Sequence, residues 1–194
     1  MTGIDRASLL TLEAYALARP GFRAGVLAHK KRRTVALGSN VTLIFEDELT
    51  IRYQIQEMLR IEKTFEEQGI QDELDVYTPL LPDGSNWKAT MLIEFPEAEE
   101  RKRQLAVLRG IEHHVWVQTE GGARVTAIAD EDMERSNDEK TSAVHFLRFE
   151  LPAPMRGAIK AGAKLVIGID HPAYQAQASV CDATRAALAK DLAA

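Results

Sequence analysis

The sequence predicts an α+β fold, with a mostly antiparallel sheet, N-terminal helices and helices packed on the sheet. Three observations lead to this prediction. The first third of the chain spaces its apolar residues as helices do, whereas the second half alternates apolar and polar residues over short runs. Turn signals such as Gly38-Ser39-Asn40 and Gly121-Gly122 join neighbouring strands. Because such hairpins outnumber βαβ units, an antiparallel sheet is favoured over a doubly wound one.

Two helices are predicted at the N-terminus. Asp5 is of a type that caps helices, and the apolar residues that follow it have helical spacing. Pro20 is expected to end this helix, because proline lacks a backbone donor and clashes with the preceding turn. A second helix fits residues 22–32. The basic run 29–33 is interpreted as its solvated end, where cations complement the helix dipole.

The next segments predict a hairpin and two more helices. Strands are expected over 34–37 and 41–46, on either side of the glycine-containing turn. A helix is expected over 48–63, and another over 65–78 ends before Pro79. These helices complete the helical part of the predicted fold.

The second half is predicted to consist mainly of strands. Residues 87–95 show the period-2 pattern of a half-buried strand, which Pro96 closes. Further strands are expected over 113–120, 124–128, 144–151, 164–170 and 174–180. Short helices are expected over 97–109 and 154–161, and a last one from Asp182 to the C-terminus.

The composition is that of one domain of ordinary size. The chain has 194 residues, of which 45% are hydrophobic, enough for a sizeable core. No linker divides the sequence, so we expect a single domain over 1–194. The charged segment 130–140 is expected to be a mobile loop within it.

Charge and cysteine content argue against several classes of protein. The formal net charge of -5 argues against a dedicated nucleic-acid binder. The single cysteine, Cys181, excludes an internal disulfide and a cysteine-rich metal site, and it fits the reducing cytoplasm. The early charges of Asp5 and Arg6 and the lack of a long apolar run lead us to expect no signal peptide and no membrane span, hence a cytoplasmic location. Phosphate-binding and nucleophile-elbow motifs are also missing from the sequence.

The helix over 48–63 is the main candidate for a functional site. It carries the polar residues Arg52, Gln56, Glu57 and Arg60 beside an apolar stripe. Packing that stripe against a sheet would bring these groups inward, where each must be paired or be costly. Glu57 and Arg60 are three apart on the helix and can pair. Two interpretations stay open: a structural network that fixes the helix, or a pocket for a polar ligand.

His171 and Tyr174 are the second candidate pair, at the end of a predicted strand and on either side of Pro172. Strand ends often carry functional side chains, and the proline makes the turn rigid. The alternative is a structural turn in which His171 caps backbone groups. His145 shares its strand face with apolar residues and is interpreted as a core histidine bonded to a neighbour.

A metal site is the most specific form of the binding hypothesis. Carboxylates combined with histidine suit iron, manganese or zinc. The candidate ligands are Glu46, Glu57, Glu62 and His171. Their spacing alone does not bring them together, so this hypothesis depends on the fold.

Several motifs are distributed over nearly the full length of the chain. They are Lys30-Lys31-Arg32-Arg33, Phe45-Glu46, Gln54-Ile55-Gln56-Glu57-Met58-Leu59-Arg60, Glu73-Leu74-Asp75, Ser142-Ala143-Val144, and His171-Pro172 with Tyr174. In these motifs the chain resembles a bacterial family without an established activity, domain of unknown function 3501. The resemblance implies a link to rubrerythrin and an iron–sulfur oxidoreductase, beside which similar proteins tend to be encoded, and so to peroxide defence or electron transfer.

Two functions follow as hypotheses. The first is a cytoplasmic accessory or interaction protein of such a redox system, without catalysis, which predicts an exposed apolar patch or a homodimer face. The second is a small metal- or ligand-binding enzyme, which predicts a concave polar site with perturbed pKa values. A nucleic-acid binder using the basic run 30–33 would require strongly salt-dependent binding and is the least favoured.

Overall fold

The computed structural model describes residues 3–129 and 140–193, which contain six α-helices and nine β-strands. The chain divides into two compact units. The first comprises the chain up to Arg32 and Glu46–Leu81, and the second comprises Arg33–Phe45 and the chain from Pro82 onward. The predicted α+β class with antiparallel sheets is confirmed. The loop predicted over 130–140 lies outside the described residues except for Lys140, and the single-domain assignment stays a prediction.

The first unit is helical. Its helices are α1 (Leu12–Lys30), α2 (Glu48–Glu62) and α3 (Glu67–Tyr77), with 3-10 turns at Arg6–Ser8 and Thr78–Leu80. Asp47 begins α2 with a capping box, in which its side chain accepts from the Thr50 backbone N–H and the Thr50 hydroxyl accepts from the Asp47 N–H. Lys63, with φ of 55°, ends α2 in the left-handed region. None of the helices within 3–129 and 140–193 combines the length and apolarity needed to cross a membrane.

The N-terminal helices depart from the prediction at Pro20. A single helix, α1, begins after the N-cap Thr11 and runs through Pro20, and Asp5 caps only the 3-10 turn before it. Proline removes the hydrogen bond to the carbonyl four residues earlier, which belongs to Ala16. Both Pro20 and Ala16 are exposed, so water can satisfy that carbonyl and the helix continues.

The second unit contains all the described strands, in two antiparallel sheets. The first sheet is formed by β1 (Thr34–Leu37), β2 (Val41–Phe45), β3 (Asn86–Ile93), β6 (Ile128–Ala129) and β7 (Val144–Glu150), in the order β1-β2-β3-β7-β6. The second is formed by β4 (Val115–Thr119), β5 (Arg124–Thr126), β8 (Leu165–His171) and β9 (Tyr174–Ser179), in the order β5-β4-β8-β9. The helices of this unit are α4 (Ala98–Val107), α5 (Ala153–Lys160) and α6 (Asp182–Leu188), with 3-10 turns at Ile111–His114 and Ala189–Asp191.

One hydrophobic core joins the two sheets of the second unit. Alternate residues of the strands point into it, as the period-2 pattern predicts. Phe45, Trp87 and Phe149 lie at its centre, with the Phe45 ring 5.6 Å from that of Trp87 and 6.1 Å from that of Phe149. The Trp87 indole N–H donates to the Leu188 carbonyl at 3.0 Å, which ties the end of α6 to this core.

Arg33 does not belong to a solvated helix end, as the sequence had suggested for the run 29–33. Its side chain is only 2% exposed, and its guanidinium forms a two-pronged salt bridge with Asp191. Its Nε donates to the Phe45 carbonyl at 2.8 Å. A buried pair of this geometry fixes the first strands of the sheet to the C-terminal segment. The partner lies 158 residues away, so no local pattern could indicate it.

We expect Asp191→Ala to lower the free energy of unfolding of the second unit by about 3 kcal/mol, because it removes the carboxylate that neutralises a buried cation. Urea denaturation followed by tryptophan fluorescence measures this, since both tryptophans lie in the second unit. Glu120→Ala breaks an ion pair whose side chains are mostly exposed and should change stability by less than about 0.5 kcal/mol. Equal effects of the two substitutions would contradict the assignment.

Candidate functional site

The residues predicted to form a site fall into two groups. Arg52, Gln56, Glu57 and Arg60 all lie on α2, in the helical unit. His171 and Tyr174 are the cross-strand pair that closes the β8–β9 hairpin, in the second unit. Each group is described by the partners it has within its own unit.

The Glu57 carboxylate lies at the centre of a hydrogen-bonded cluster. The Tyr15 hydroxyl donates to Oε1 at 2.8 Å. The Arg19 guanidinium donates to both oxygens, from Nε at 2.7 Å and from Nη2 at 2.9 Å. Arg60 donates to the same two oxygens at 3.4 Å. The predicted pairing of Glu57 with Arg60 is therefore present, but the shorter contacts come from α1.

These contacts keep the Glu57 carboxylate ionised and the Tyr15 hydroxyl neutral. Hydrogen bonds from Arg19 lower the pKa of Glu57 to about 2, although desolvation acts in the opposite direction. Burial raises the pKa of Tyr15 well above its usual range, and the hydrogen bond to Glu57 adds to the effect. A carboxylate this acidic and a phenol this weakly acidic are poorly matched to proton transfer near neutral pH. The cluster is suited to joining two helices rather than to acid–base catalysis.

Gln56 and Arg52 also have partners within the helical unit. Gln56 is buried, its Oε1 accepts from the Leu10 N–H at 2.7 Å, and its Nε2 donates to the Leu10 carbonyl at 3.3 Å. The amide thus satisfies both backbone groups of one residue before α1, as a neighbouring strand would. Arg52 pairs with Glu48 one turn earlier. The Arg52 Nε has no hydrogen-bond partner in the part of the chain that the structure describes.

Both ring nitrogens of His171 contact backbone groups. Its Nε2 lies 3.1 Å from the Arg109 carbonyl, and its Nδ1 accepts from the Ala173 N–H at 3.2 Å. These bonds select the neutral tautomer with hydrogen on Nε2. The ring is 6% exposed and meets that of His114 edge to face, with centroids 5.2 Å apart. The geometry favours the structural turn among the two interpretations of this residue.

Tyr174 connects the two sheets of the second unit. Its hydroxyl donates to the Leu37 carbonyl at 2.6 Å and accepts from the Asn40 N–H at 3.2 Å. Gly38 lies between these residues with φ of 70°, and a Cβ atom there would lie 2.6 Å from the Tyr174 oxygen. The turn between β1 and β2 therefore requires glycine both for its backbone conformation and for the approach of this hydroxyl.

The candidate metal ligands are distributed over both units, with Glu46, Glu57 and Glu62 in the helical unit and His171 in the second. Glu46 is buried and Glu62 is exposed, while Glu57 and His171 have the partners given above. Within 3–129 and 140–193, no group of three or more histidine, cysteine, aspartate or glutamate side chains is placed to hold a metal ion. The metal hypothesis stays a prediction that gains no support from this geometry.

A buried polar cluster in the second unit was not predicted from the sequence. The Thr141 hydroxyl lies 3.1 Å from Glu112 Oε2 and 2.8 Å from His145 Nε2, and that Nε2 is also 3.0 Å from the Ser142 carbonyl. The residues Glu112, Thr141 and His145 are each at most 5% exposed. His145 is thus a core histidine bonded to neighbours, as its strand position had indicated. Thr141 and Glu112 carried no signal in the sequence, because 29 residues separate them.

Comparison with known proteins identifies the family. The family model described as a protein of unknown function, DUF3501, matches residues 3–192. The chain belongs to the DUF3501 family. The comparison with curated proteins gives no match. Membership in DUF3501 therefore assigns no reaction, and the function must be argued from the geometry.

A solved structure of similar sequence has the same fold. It is a crystal structure at 1.90 Å resolution of a novel protein of unknown function from Burkholderia pseudomallei K96243. The two chains are 56% identical with a TM-score of 0.94, and the match covers 99% of this chain and 100% of that chain. The arrangement of helices and sheets described above is thus shared with a second protein of unknown function.

The Glu57 cluster predicts a loss of stability in acid. The folded pKa of about 2 lies below the ordinary value of 4.5, so the unfolded chain binds the proton more readily. The stabilisation that ionised Glu57 gives to the folded state is complete above about pH 5 and is lost as the pH falls toward 2. We expect Glu57→Gln to lower the free energy of unfolding by on the order of 2 kcal/mol at neutral pH. The difference in this free energy between the variant and the wild type should become smaller in acid.

Urea denaturation followed by far-ultraviolet circular dichroism, repeated from neutral pH to about pH 3, measures that difference. Glu67→Gln is the matched control, because Glu67 also pairs with an arginine, Arg6, but its side chain is 74% exposed. A Glu57→Gln penalty that does not depend on pH would contradict the assigned role of the carboxylate.

The geometry also makes a prediction about metal content. We expect Glu57→Gln and His171→Ala to leave the iron, manganese and zinc content of the purified protein unchanged, because both residues have other partners. Elemental analysis of protein prepared without chelator or affinity tag measures this, with circular dichroism to verify folding. Stoichiometric metal that both substitutions remove would instead support the ligand set expected from the sequence.

Proposed function

We propose that this protein is a non-catalytic accessory protein of the cytoplasm that binds a partner through the outer face of α1. The outer face is defined by seven exposed residues with helical spacing: Ala14, Leu17, Ala18, Gly21, Ala24, Gly25 and Ala28. Together they cover roughly a third of the helix circumference. The observation that carries the proposal is that this solvent-facing surface has no charged residue.

The outer face of α1 differs from the solvent-facing side expected of a surface helix, and the exposed charges Glu13 and Arg23 lie elsewhere on the helix. Solvent-facing positions are normally charged or polar. Here the charged Arg19 and the phenol of Tyr15 point toward α2, where they bind Glu57. Leu17, between them in sequence, points away from α2 and is 87% exposed. An exposed apolar surface of this kind is typical of a protein–protein contact.

Gly21 and Gly25 lie within α1, although no contact within residues 3–129 and 140–193 requires glycine there. Each costs about 0.8 to 1 kcal/mol relative to alanine in a helix interior. A Cβ atom at either position would meet no described atom within 4 Å, and neither has a positive φ. A close approach from outside would explain both residues, because glycine lets another backbone come near.

A groove runs along the same side of the helix. It has a volume of about 580 Å³ and is lined by Ala18, Gly21, Gly25, Ala28 and Leu49 among others. Phe22 and Val26 also line it, so its surface is mainly apolar, and an apolar side chain from a partner helix would fit beside the glycines. His29 and Arg32 at one end provide polar contacts for the rim.

The partners implied by the family resemblance are a rubrerythrin-like protein and an iron–sulfur oxidoreductase of a peroxide-defence system. An accessory role is compatible with the polar groups of α2, which are largely occupied by contacts within the chain. We therefore propose these two proteins as the first candidates for the outer face of α1. A second copy of this chain is the competing occupant.

The glycines allow a test in which stability and binding change in opposite directions. We expect Gly21→Ala combined with Gly25→Ala to raise the free energy of unfolding by about 1 to 2 kcal/mol, through helix propensity. We expect the same variant to bind the rubrerythrin-like or iron–sulfur partner at least about tenfold more weakly, because the added methyl groups obstruct close approach. Thermal unfolding and titration calorimetry measure the two quantities.

Leu17→Gln should weaken binding as well, while Val107→Gln is the matched control. Val107 is also an exposed apolar helix residue, 58% exposed, but lies on α4. Sedimentation equilibrium of the chain alone shows whether a second copy occupies the outer face of α1. If it does, Leu17→Gln lowers the apparent molecular mass. Wild-type binding and unchanged mass for both the glycine and the Leu17 variants would overturn the proposal.

A further inference from the structure

Trp116 lies on the outer face of the second sheet, which the proposed function does not use. Its neighbours in β4, Val115 and Val117, point into the hydrophobic core, so Trp116 points to the opposite side. Across the sheet it faces Gly168 of β8 and Thr126 of β5. This face is solvent-exposed at Thr126 and at Gln177, the cross-strand neighbour of Gly168.

The indole ring packs over Gly168 of β8. A Cβ atom at Gly168 would lie 2.3 Å from Cζ2 of Trp116 and 2.6 Å from its Cε2, so only glycine leaves space for the ring. Gly168 has no positive φ, so its backbone conformation does not require glycine, and the contact with the indole explains the residue.

A single charged side chain covers the other side of the ring. The guanidinium carbon of Arg124 lies 3.8 Å from the ring centroid. Arg124 forms an ion pair with Asp170, and the two side chains are 46% and 53% exposed. Exposed ion pairs and exposed cation–π contacts each contribute little to stability, because water screens the charges. Arg124 is thus a cover that a ligand can displace at small cost.

The Trp116 indole N–H is left without an acceptor. The residue is 4% exposed, and its Nε1 is buried with no hydrogen-bond partner among residues 3–129 and 140–193. The other tryptophan, Trp87, donates to a carbonyl at 3.0 Å. A buried donor without a partner destabilises the fold, because it has lost its hydrogen bond to water and gained none in return. An arrangement that leaves this group unpaired calls for an explanation beyond the packing of the sheet.

We propose that the outer face of the second sheet around Trp116 is a binding site for a neutral carbohydrate. The C–H groups of a sugar ring carry partial positive charge and stack on the negative face of an indole. The same sugar must place a hydroxyl at the edge of the ring, in the plane of the indole, because that is the direction in which the Nε1–H donates. The site goes beyond the proposed function, since it lies in the other unit from α1.

The surrounding side chains favour sugars over charged ligands. Thr126 and Gln177 lie beside Trp116 and Gly168 on this face and offer both donors and acceptors, which match hydroxyl groups. The Gln118 amide donates to the Gly122 carbonyl and accepts from Arg124, so its oxygen becomes available when Arg124 is displaced. The charges of Arg124 and Asp170 cancel each other. A nucleotide would meet no surplus of positive charge here, and a cationic ligand would have to compete with a tethered arginine.

Nitrogen-15 NMR of the full chain tests the proposal, because its two tryptophans give two indole N–H signals. The probes are maltotriose, cellotriose and chitotriose at up to about 10 mM, which would occupy a site with a roughly millimolar Kd. We expect one of them to shift the Trp116 signal and to leave that of Trp87 in place. The Trp87 signal also reports that the core is intact.

Three variants complete the test, with affinities measured by titration calorimetry. Arg124→Ala should bind the active probe about two- to fivefold more tightly, because no cover has to be displaced. Trp116→Phe should bind it about fivefold more weakly, because it retains a ring but loses the donor. Lys164→Ala, at an exposed position before β8, should bind as wild type does.

The proposal is overturned if none of the three sugars shifts the Trp116 signal in Arg124→Ala, where the ring is uncovered. It is also overturned if adenosine or free arginine shifts that signal and the sugars do not, since the site would then recognise a planar heterocycle or a cation. Neither result tests the outer face of α1, so the proposed function can be supported or contradicted independently of the carbohydrate site.

Discussion

The contact between Glu57 and α1 determines which surface the helical unit presents to solvent. Tyr15 and Arg19 are four residues apart and lie on one side of α1, and both donate to the same carboxylate. Residues two apart on a helix differ by about 200° in direction. Once these two donors point toward α2, Leu17 must point away from it, together with the glycines one and two turns later. The exposed apolar surface of α1 is therefore a consequence of one ion pair.

The sheets were the part of the fold that local patterns predicted best. Strand residues alternate between core and solvent, and the turns at Gly38 and at Gly121-Gly122 contain residues that hairpin turns require, so both strand positions and pairing could be expected. The helices were predicted less well at their ends. Proline is expected to end a helix because it leaves a carbonyl without its hydrogen bond and crowds the preceding turn, whereas the carbonyl concerned here belongs to Ala16, which is exposed to water.

The candidate site was predictable only to the extent that local spacing decides it. Burial of polar groups on α2 and the pairing of Glu57 with Arg60 follow from helical geometry. The stronger partners, Arg19 and Leu10, lie 38 and 46 residues earlier in the chain, and spacing contains no information about such contacts. His171 shows the same limit, since its Nδ1 bonds a neighbour two residues away but its Nε2 bonds Arg109, 62 residues earlier.

The buried polar groups described in the two units are nearly all hydrogen-bonded, so the features that depart from this pattern need an explanation. Arg33, Gln56 and Glu57 are each bound by two or more hydrogen bonds. Two features of the described chain are not explained by its internal contacts. The Trp116 N–H lacks an acceptor, and α1 contains two glycines that no internal contact requires. Arg52 Nε is a lesser case, because the rest of its guanidinium reaches Glu48 and solvent. Selection tolerates a local loss of stability where something outside the fold compensates for it. The two features lie on different units and differ in chemistry, an apolar helix face and a capped aromatic ring, so a single external molecule need not account for both.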